Sequence, residues 1–249
     1  LTLHLVADGP IARLRIDRAD KRNAFTQAMW ALLPRLLEDA LALPGVRLLI
    51  LESTTPRLFC AGADIGELLA RKDDSDWRAA NQDAINATQY QLARFPLPTI
   101  AFIDGDCVGG GCGLALACDI RVATPRARLG ITPAKLGLVY PLHDVKLLTD
   151  LVGPGQARRM LFTGDLLDAA EAQRIGLVEL LAESPDALVA TILANAPSSI
   201  RALKGFVRRV LDGRGTEDAE SATVFADAFL GPEFAEGSAA FVERRKPRF

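Results

Sequence analysis

Two short runs of alternating hydrophobic and polar positions, Leu3–Val6 and Ala12–Ile16, open the chain and predict an antiparallel strand pair. From Thr26 to Leu41 the apolar residues Met29, Leu32, Leu33, Leu36 and Leu37 return at helical spacing, and Pro34 within them predicts a kink or a late start. Val46–Leu51 is almost continuously apolar, as expected of a strand buried on both faces. A loop of small residues, Cys60–Ala63, leads to a short helix at Asp64–Arg71, and a longer helix is expected over Asp76–Phe95, ended by Pro96 and Pro98. Thr99–Ile103 reads as a second buried strand, Gly109–Gly113 as a glycine-rich turn into a helix at Leu114–Cys118, and Ile120–Ala123 as a third strand. From about Leu142 the pattern is mostly helical, with one more strand at Leu177–Leu181 and helical windows at Asp186–Ala196, Ser198–Leu211, Thr216–Phe229 and Glu233–Arg244.

Strands alternating with helices, followed by a helical section, place the chain in the α/β class. The unit of strand, glycine turn and helix occurs twice, at residues 46–71 and 99–118. Both turns, Phe59-Cys60-Ala61-Gly62-Ala63-Asp64-Ile65 and Val108-Gly109-Gly110-Gly111-Cys112-Gly113-Leu114, are expected to leave a buried strand and enter a helix. The first N–H groups of a helix have no intrahelical acceptor, and the helix dipole adds positive potential there. Two such turns at the carboxyl ends of strands can converge on one ligand atom. The plainer alternative is that the glycines only permit tight strand–helix packing. A dinucleotide fingerprint is excluded, because the final glycine falls on Leu114 or Leu116, and no Gly-Lys-Ser/Thr follows either turn.

Composition narrows the classes. With 249 residues, 49% hydrophobic and 24% charged, the chain needs no metal or disulfide to complete a core. A net charge of −2 gives no general attraction for nucleic acid or an anionic membrane, so neither is an expected partner. Basic residues concentrate in Arg244, Arg245, Lys246 and Arg248, a cluster sized for one phosphorylated ligand. The four cysteines, Cys60, Cys107, Cys112 and Cys118, form no CxxC pair and read as reduced small hydrophobes, which points to a cytoplasmic location. The opening residues do not read as a secretory signal, and no stretch reaches the ~18 apolar residues of a membrane-spanning helix.

Several segments carry a resemblance. Asp17–Phe25 (DRADKRNAF), Phe59–Leu68 (FCAGADIGEL), Asp104–Ile120 (DGDCVGGGCGLALACDI), Phe162–Val178 (FTGDLLDAAEAQRIGLV) and Phe241–Phe249 (FVERRKPRF) resemble, in order and across nearly the whole chain, the motifs of the enoyl-CoA hydratase/isomerase (crotonase) family. The resemblance implies a crotonase-like spiral of ββα units over residues 1–190 and a C-terminal helical region over 191–249 that serves oligomerisation and lids the CoA pocket. It also implies a homotrimer or homohexamer, with coenzyme A as part of an acyl-CoA substrate and no separate cofactor. By position, Ala63 N–H and Gly110 N–H would form an oxyanion hole for the thioester oxygen as an enolate develops. Lys21, Arg22, Ala24, Ala61, Asp64, Ile65, Gly109 and Pro133 would line the substrate site, and Lys246 or Arg245 would meet a CoA phosphate.

The family's hydratases use two glutamates, and here those positions hold Gly113 and Pro133. Ile131–Pro141 (ITPAKLGLVYP) instead resembles the methylmalonyl-CoA decarboxylase relatives, with Tyr140 at the tyrosine that positions the departing carboxylate. Those relatives carry His where Ala63 stands and keep a glutamate where Gly113 stands. Decarboxylation of a malonyl-type CoA in a carboxylate-poor pocket is therefore slightly favoured on these residues. The alternatives are hydration or double-bond isomerisation by substitute groups (His143, Asp144 or Glu67) and a non-catalytic CoA-binding relative. Tyr140 also reads as a buried tyrosine capping a local backbone group, His143–Asp144 as a surface pair at a helix start, and Asp119 and His4 as structural. Asp104 and Asp106 have no functional account at this level.

Overall fold

The computed structural model describes residues 2–249, which divide into two compact units: one running through Phe95 and over Thr99–Pro185, the other comprising Pro96–Pro98 and Asp186–Phe249. In the first unit, strands β1 (Leu3–Asp8) and β2 (Ile11–Ile16) form the antiparallel pair read from their alternation, with Ala12, Leu14 and Ile16 all on the buried face. Strands β3 (Leu48–Ser53), β5 (Thr99–Ile103), β7 (Ile120–Ala123) and β10 (Leu180–Leu181) continue the same sheet in parallel, in the order β1-β2-β3-β5-β7-β10. Leu48, Leu49, Ile50 and Leu51 are all fully buried, so both faces of β3 are covered. The strand expected over Leu177–Leu181 keeps only its last two residues, Leu180 and Leu181.

A second, four-stranded sheet lies outside the hydrophobic pattern. It is built from β4 (Leu58–Cys60), β6 (Asp106–Val108), β8 (Arg128–Gly130) and β9 (Leu167–Asp168), paired in that order. Its strands are only two or three residues long, too short to show a period. Each turn of the chain runs from a long strand to a short strand and then to helix: β3, β4 and α2 (Ile65–Ala70) with α3 (Ser75–Ala93); β5, β6 and α4 (Gly110–Ala117); β7, β8 and α5 (Leu142–Thr163). This is the expected spiral of ββα units. It also corrects the sequence reading, because the strands that feed the two glycine turns are β4 and β6 and not the long strands before them.

Helix α1 (Gln27–Ala42), capped by Thr26, passes through Pro34 without interruption, contrary to the expected kink or late start. Proline at 34 removes the N–H that would bond the Trp30 carbonyl. Thr88, fully buried on α3, supplies the substitute: its Oγ1 donates to Trp30 O at 2.6 Å. Helix α4 begins at Gly110, so the glycine turn is itself the first turn of the helix and not a loop ahead of Leu114. Helix α5 bends at Gly153–Pro154, and α6 (Ala169–Arg174) is capped by Asp168.

The second unit holds α7 (Asp186–Leu193), α8 (Pro197–Leu211), α9 (Ala219–Ala228) and α10 (Pro232–Val242). Glu233 accepts from Ser198 N at 3.1 Å, Arg209 pairs with Asp218, and Lys204 Nζ donates to Leu97 O at 2.7 Å.

Candidate functional site

In the first glycine turn the N–H groups on either side of Ala63 are taken. Ala61 N donates to Arg22 O (3.0 Å), Gly62 N to Cys60 Sγ (3.4 Å) and Asp64 N to Phe25 O (2.9 Å), while Phe25 N donates to Gly62 O (2.7 Å). Between these bonds Ala63 N–H has no acceptor among the described residues, and Ala63 is half-buried. In the second turn Gly109 N donates to Gly130 O (2.8 Å), and Gly110, the first residue of α4, offers an N–H that no side chain caps.

The two turns touch. A Cβ built on Gly62 would lie 3.2 Å from Gly110 N and 2.9 Å from Val108 O, and one built on Gly110 would lie 3.7 Å from Ala63 N. A side chain at 62 would push the turns apart, and Gly62 also has φ +98°. Behind Gly110 lies the Trp30 ring, with Cζ2 3.1 Å from that built Cβ and with the Phe25 ring tilted against it, centroids 4.5 Å apart. Arg121, buried on β7, completes the support. Its guanidinium donates to Ala115 O (3.2 Å), Cys118 O (2.8 Å) and Asp119 O (3.2 Å) at the carboxyl end of α4, and pairs with Glu179. Neither Trp30 nor Arg121 carries a signal in the sequence beyond being a large residue in an apolar segment.

The early loop is held to the first turn. Asn23, buried with φ 57°, accepts from Arg18 N (2.8 Å) and donates to Phe59 O (2.9 Å) and Ser53 Oγ (2.7 Å). Arg18 donates to Ala24 O (2.7 Å) and pairs with Asp64 (2.8 Å), whose carboxyl also caps α2 through Glu67 N. The hydrogen bond from Arg18 lowers the Asp64 pKa. Arg22 pairs with Asp106 at 2.8 Å, which gives Asp106 a role: it ties the loop to β6. Lys21 and Ile65 are exposed, Ala24 is buried, and Pro133 is half-buried at the start of a 3-10 turn. Asp104 accepts from Arg57 N (3.0 Å) and Arg126 Nε (2.6 Å), and Asp119 accepts from Thr99 N (2.7 Å), so both are structural. His4 lies 3.2 Å from Asp17. Glu67 is a capping group and not a free acid, since its Oε2 accepts from Gln27 N (2.8 Å) at the start of α1. Lys246 is exposed in the second unit, and Arg245 there is engaged by Glu236 and Glu243.

The region around Gly113 departs most from expectation. Asp144 is not on the surface but 1% exposed, and the pocket is not free of carboxyl groups. A Cβ built on Gly113 would lie 2.5 Å from Gln89 Nε2, 2.6 Å from Asp144 Oδ2 and 3.0 Å from the Tyr140 hydroxyl. Gln89 Nε2 donates to Asp144 Oδ2 at 3.3 Å, and His143 Nδ1 stands 3.6 Å from Asp144 Oδ1, beyond hydrogen-bond reach. Burial raises the Asp144 pKa and the nearby His143 only partly offsets this. Tyr140 donates to Gly109 O at 3.1 Å, the capping arrangement weighed above, and burial pushes its pKa well up. Gly109 O and Gly110 N belong to one peptide group, so Tyr140 helps to fix the direction of the Gly110 N–H.

The enoyl-CoA hydratase/isomerase family model matches residues 7–249. The chain belongs to the enoyl-CoA hydratase/isomerase family. An enoyl-CoA hydratase/isomerase family protein from Hyphomonas neptunium superposes with a TM-score of 0.93 at 37% identity, covering 100% of this chain and 97% of that one. An enoyl-CoA hydratase/carnithine racemase from Magnetospirillum magneticum gives 0.92 at 31%, covering 100% and 95%. Mitochondrial methylglutaconyl-CoA hydratase of Mus musculus is 32% identical, over 96% of this chain and 79% of its own length. As a member of this family, the chain is an acyl-CoA-processing enzyme of the hydratase/isomerase type. Among the described residues no helix is long and apolar enough to cross a membrane.

Proposed function

We propose that Ala63 N–H and Gly110 N–H together bind the thioester oxygen of an acyl-CoA and stabilise the enolate that forms from it. The observation that carries this reading is the contact of the two turns, which brings two N–H groups without an acceptor among the described residues close to one another. Donors already in place cost no reorganisation when charge develops, and losing one costs about 2.7–4 kcal/mol in comparable sites. Coenzyme A would be held by Lys21, Arg22 and the backbone at Ala24 and Ala61, with Asp64 and Ile65 beside it.

Of the family's chemistries, those that move a proton fit best, because a carboxyl group stands beside Gly113. Decarboxylation of a malonyl-type CoA is the second reading. It rests on the absence of both glutamates, at Gly113 and Pro133, and on Tyr140, whose hydroxyl donates to Gly109 O. Exposed apolar side chains in each unit (Val139, Leu142 and Phe162; Leu230, Phe241 and Val242) support assembly as a trimer or a pair of trimers, which sedimentation would measure.

The test is a panel of crotonyl-CoA, a 3-enoyl-CoA, methylmalonyl-CoA and ethylmalonyl-CoA followed by mass spectrometry and proton NMR, with Gly110→Pro alongside. Proline is compatible with the first position of a helix and deletes the N–H, but its Cβ would come 3.1 Å from the Trp30 ring, so binding of a saturated acyl-CoA is measured beside turnover to show that the site keeps its shape. Turnover that falls about 10²–10³-fold in Gly110→Pro supports the reading. Turnover untouched by it sinks the oxyanion hole, and loss of carbon dioxide from a malonyl-type substrate as the fastest reaction establishes the second reading.

A further inference from the structure

We propose that Asp144, positioned by Gln89, is the acid–base group of this enzyme, and that it serves a single-site proton transfer which moves the double bond of an enoyl-CoA thioester. The assignment rests on the enolate reading above.

Gly113 stands where the family's hydratases carry a glutamate, and its missing side chain leaves room that three side chains from other elements fill: Gln89 from α3, Tyr140 ahead of α5 and Asp144 in the first turn of α5. The carboxyl group is therefore supplied from α5 in place of α4. Asp144 is 1% exposed, and its Oδ1 has no hydrogen-bond partner among the described residues. Gln89, equally buried, gives its Nε2 to Asp144 Oδ2 and leaves its Oε1 unpartnered. A purely structural buried carboxyl would be satisfied on both oxygens. The cluster reaches the other half of the site through Tyr140, whose hydroxyl bonds the peptide that presents the Gly110 N–H.

The number of carboxyl groups selects the reaction. Hydration needs one group to activate water and another to protonate the α-carbon, whereas Gln89 is neutral and the Tyr140 hydroxyl is committed to Gly109 O. One carboxyl suffices for an allylic shift. The α C–H bond of a 3-enoyl thioester breaks, its proton passes to the Asp144 carboxylate, and the electron pair moves onto the thioester oxygen facing Ala63 and Gly110. The carbonyl re-forms as the γ-carbon takes the proton back from Asp144, which yields the 2-enoyl thioester. Atoms and electrons balance with no water and no redox partner.

Burial and, opposing it, His143 beside Oδ1 set the titration of Asp144, and the Tyr140 hydroxyl faces the same space at Gly113. Gln89 on α3 and Gly113 on α4 are uncharged, and Cys112 lies within electrostatic reach of Tyr140. Burial raises the Asp144 pKa, so kcat/KM rises with pH as the carboxyl group ionises.

The experiment compares wild type, Asp144→Asn and Asp144→Ala on a 3-enoyl-CoA by NMR, with binding of a saturated acyl-CoA measured by calorimetry. Asp144→Asn is expected to bind the saturated acyl-CoA as wild type does, which shows that the site is folded, and to lose roughly 10²–10⁴-fold in kcat with the acidic limb of the pH profile gone. Formate added to Asp144→Ala restores part of the rate. Wild-type turnover that survives in Asp144→Asn within a small factor overturns the assignment and leaves the enolate reading standing. Faster gain of water on crotonyl-CoA than double-bond shift in the 3-enoyl-CoA overturns the single-site mechanism. A wild type that binds acyl-CoA but turns over nothing in the panel overturns both readings.

Discussion

Proline in the middle of α1 is tolerated because a second helix repairs the hydrogen bond it breaks, and this coupling can be measured. Pro34 leaves the Trp30 carbonyl without its N–H partner, and Thr88 Oγ1 reaches that carbonyl at 2.6 Å from a fully buried position. Thr88→Val keeps the side-chain shape and removes the hydroxyl, so a buried carbonyl loses its donor at a cost of about 1–3 kcal/mol. In a Pro34→Ala background, residue 34 has an N–H again and the ordinary i to i−4 bond to Trp30 O forms within α1. There the same Thr88→Val change should cost well under 1 kcal/mol, since the carbonyl is already satisfied. The coupling energy across the cycle is thus at least about 1 kcal/mol, above the ~0.3–0.5 kcal/mol scatter of independent sites. Urea unfolding reads it as a shift in midpoint at constant slope, and thermal unfolding as about 2–4 °C per kcal/mol for a chain of this size. Equal costs of Thr88→Val in both backgrounds would refute the reasoning. Because the Trp30 ring backs Gly110, Thr88→Val should also lower kcat modestly, and Pro34→Ala should restore it.

Four further outcomes follow from the same coordinates. Because the folded-state pKa of Asp144 is raised, its protonation stabilises the fold below the unfolded value of about 3.9 and this contribution is lost as pH rises through the folded value. Wild-type stability relative to Asp144→Asn should therefore fall as pH rises from about 4, and a constant difference in melting temperature would contradict the raised pKa. Tyr140→Phe removes one of the two bonds to Gly109 O, the other coming from Gly113 N at 3.1 Å. A net loss of about 0.5–1.5 kcal/mol should appear as a drop of up to about tenfold in kcat with KM unchanged, and a change confined to KM would argue instead for direct substrate contact. Arg121→Met removes a donor from three carbonyls at the end of α4, of which Ala115 O keeps the Cys118 N–H, and should cost about 3 kcal/mol or more in urea unfolding. Cys60 is fully buried and its thiol is pushed up to about 12, so a thiol reagent should modify it only once the protein is unfolded, as mass spectrometry would show.

How much of this was legible in the chain depends on the length of each element and on whether its partners lie nearby. The buried strands at Leu48–Leu51 and Thr99–Ile103 declared themselves through unbroken apolar runs, and the β1–β2 pair through alternation. The four short strands of the second sheet did not, because two or three residues held by backbone pairing leave no periodic mark. The glycine turns were visible as motifs, and so was the loss of both family glutamates at Gly113 and Pro133. Three misreadings share one cause. Pro34 read as a helix breaker because Thr88, its remedy, lies on another helix. Glu67 read as a spare acid because the Gln27 N–H it accepts from is 40 residues away. Asp144 read as a surface residue because a charged side chain after a histidine at a helix start gives no local sign of burial.

The sequence by itself therefore determined the order of the long elements, the two glycine turns and the family whose motifs they carry, since each depends on residues adjacent along the chain. Tertiary structure alone decided that Ala63 and Gly110 lie together with open N–H groups, and that a carboxyl group from residue 144 stands beside the side-chain-free position 113. The physical reason is that an absent Cβ specifies only an empty volume. Which side chain fills that volume depends on the packing of α3, α4 and α5, and no period along the chain encodes it.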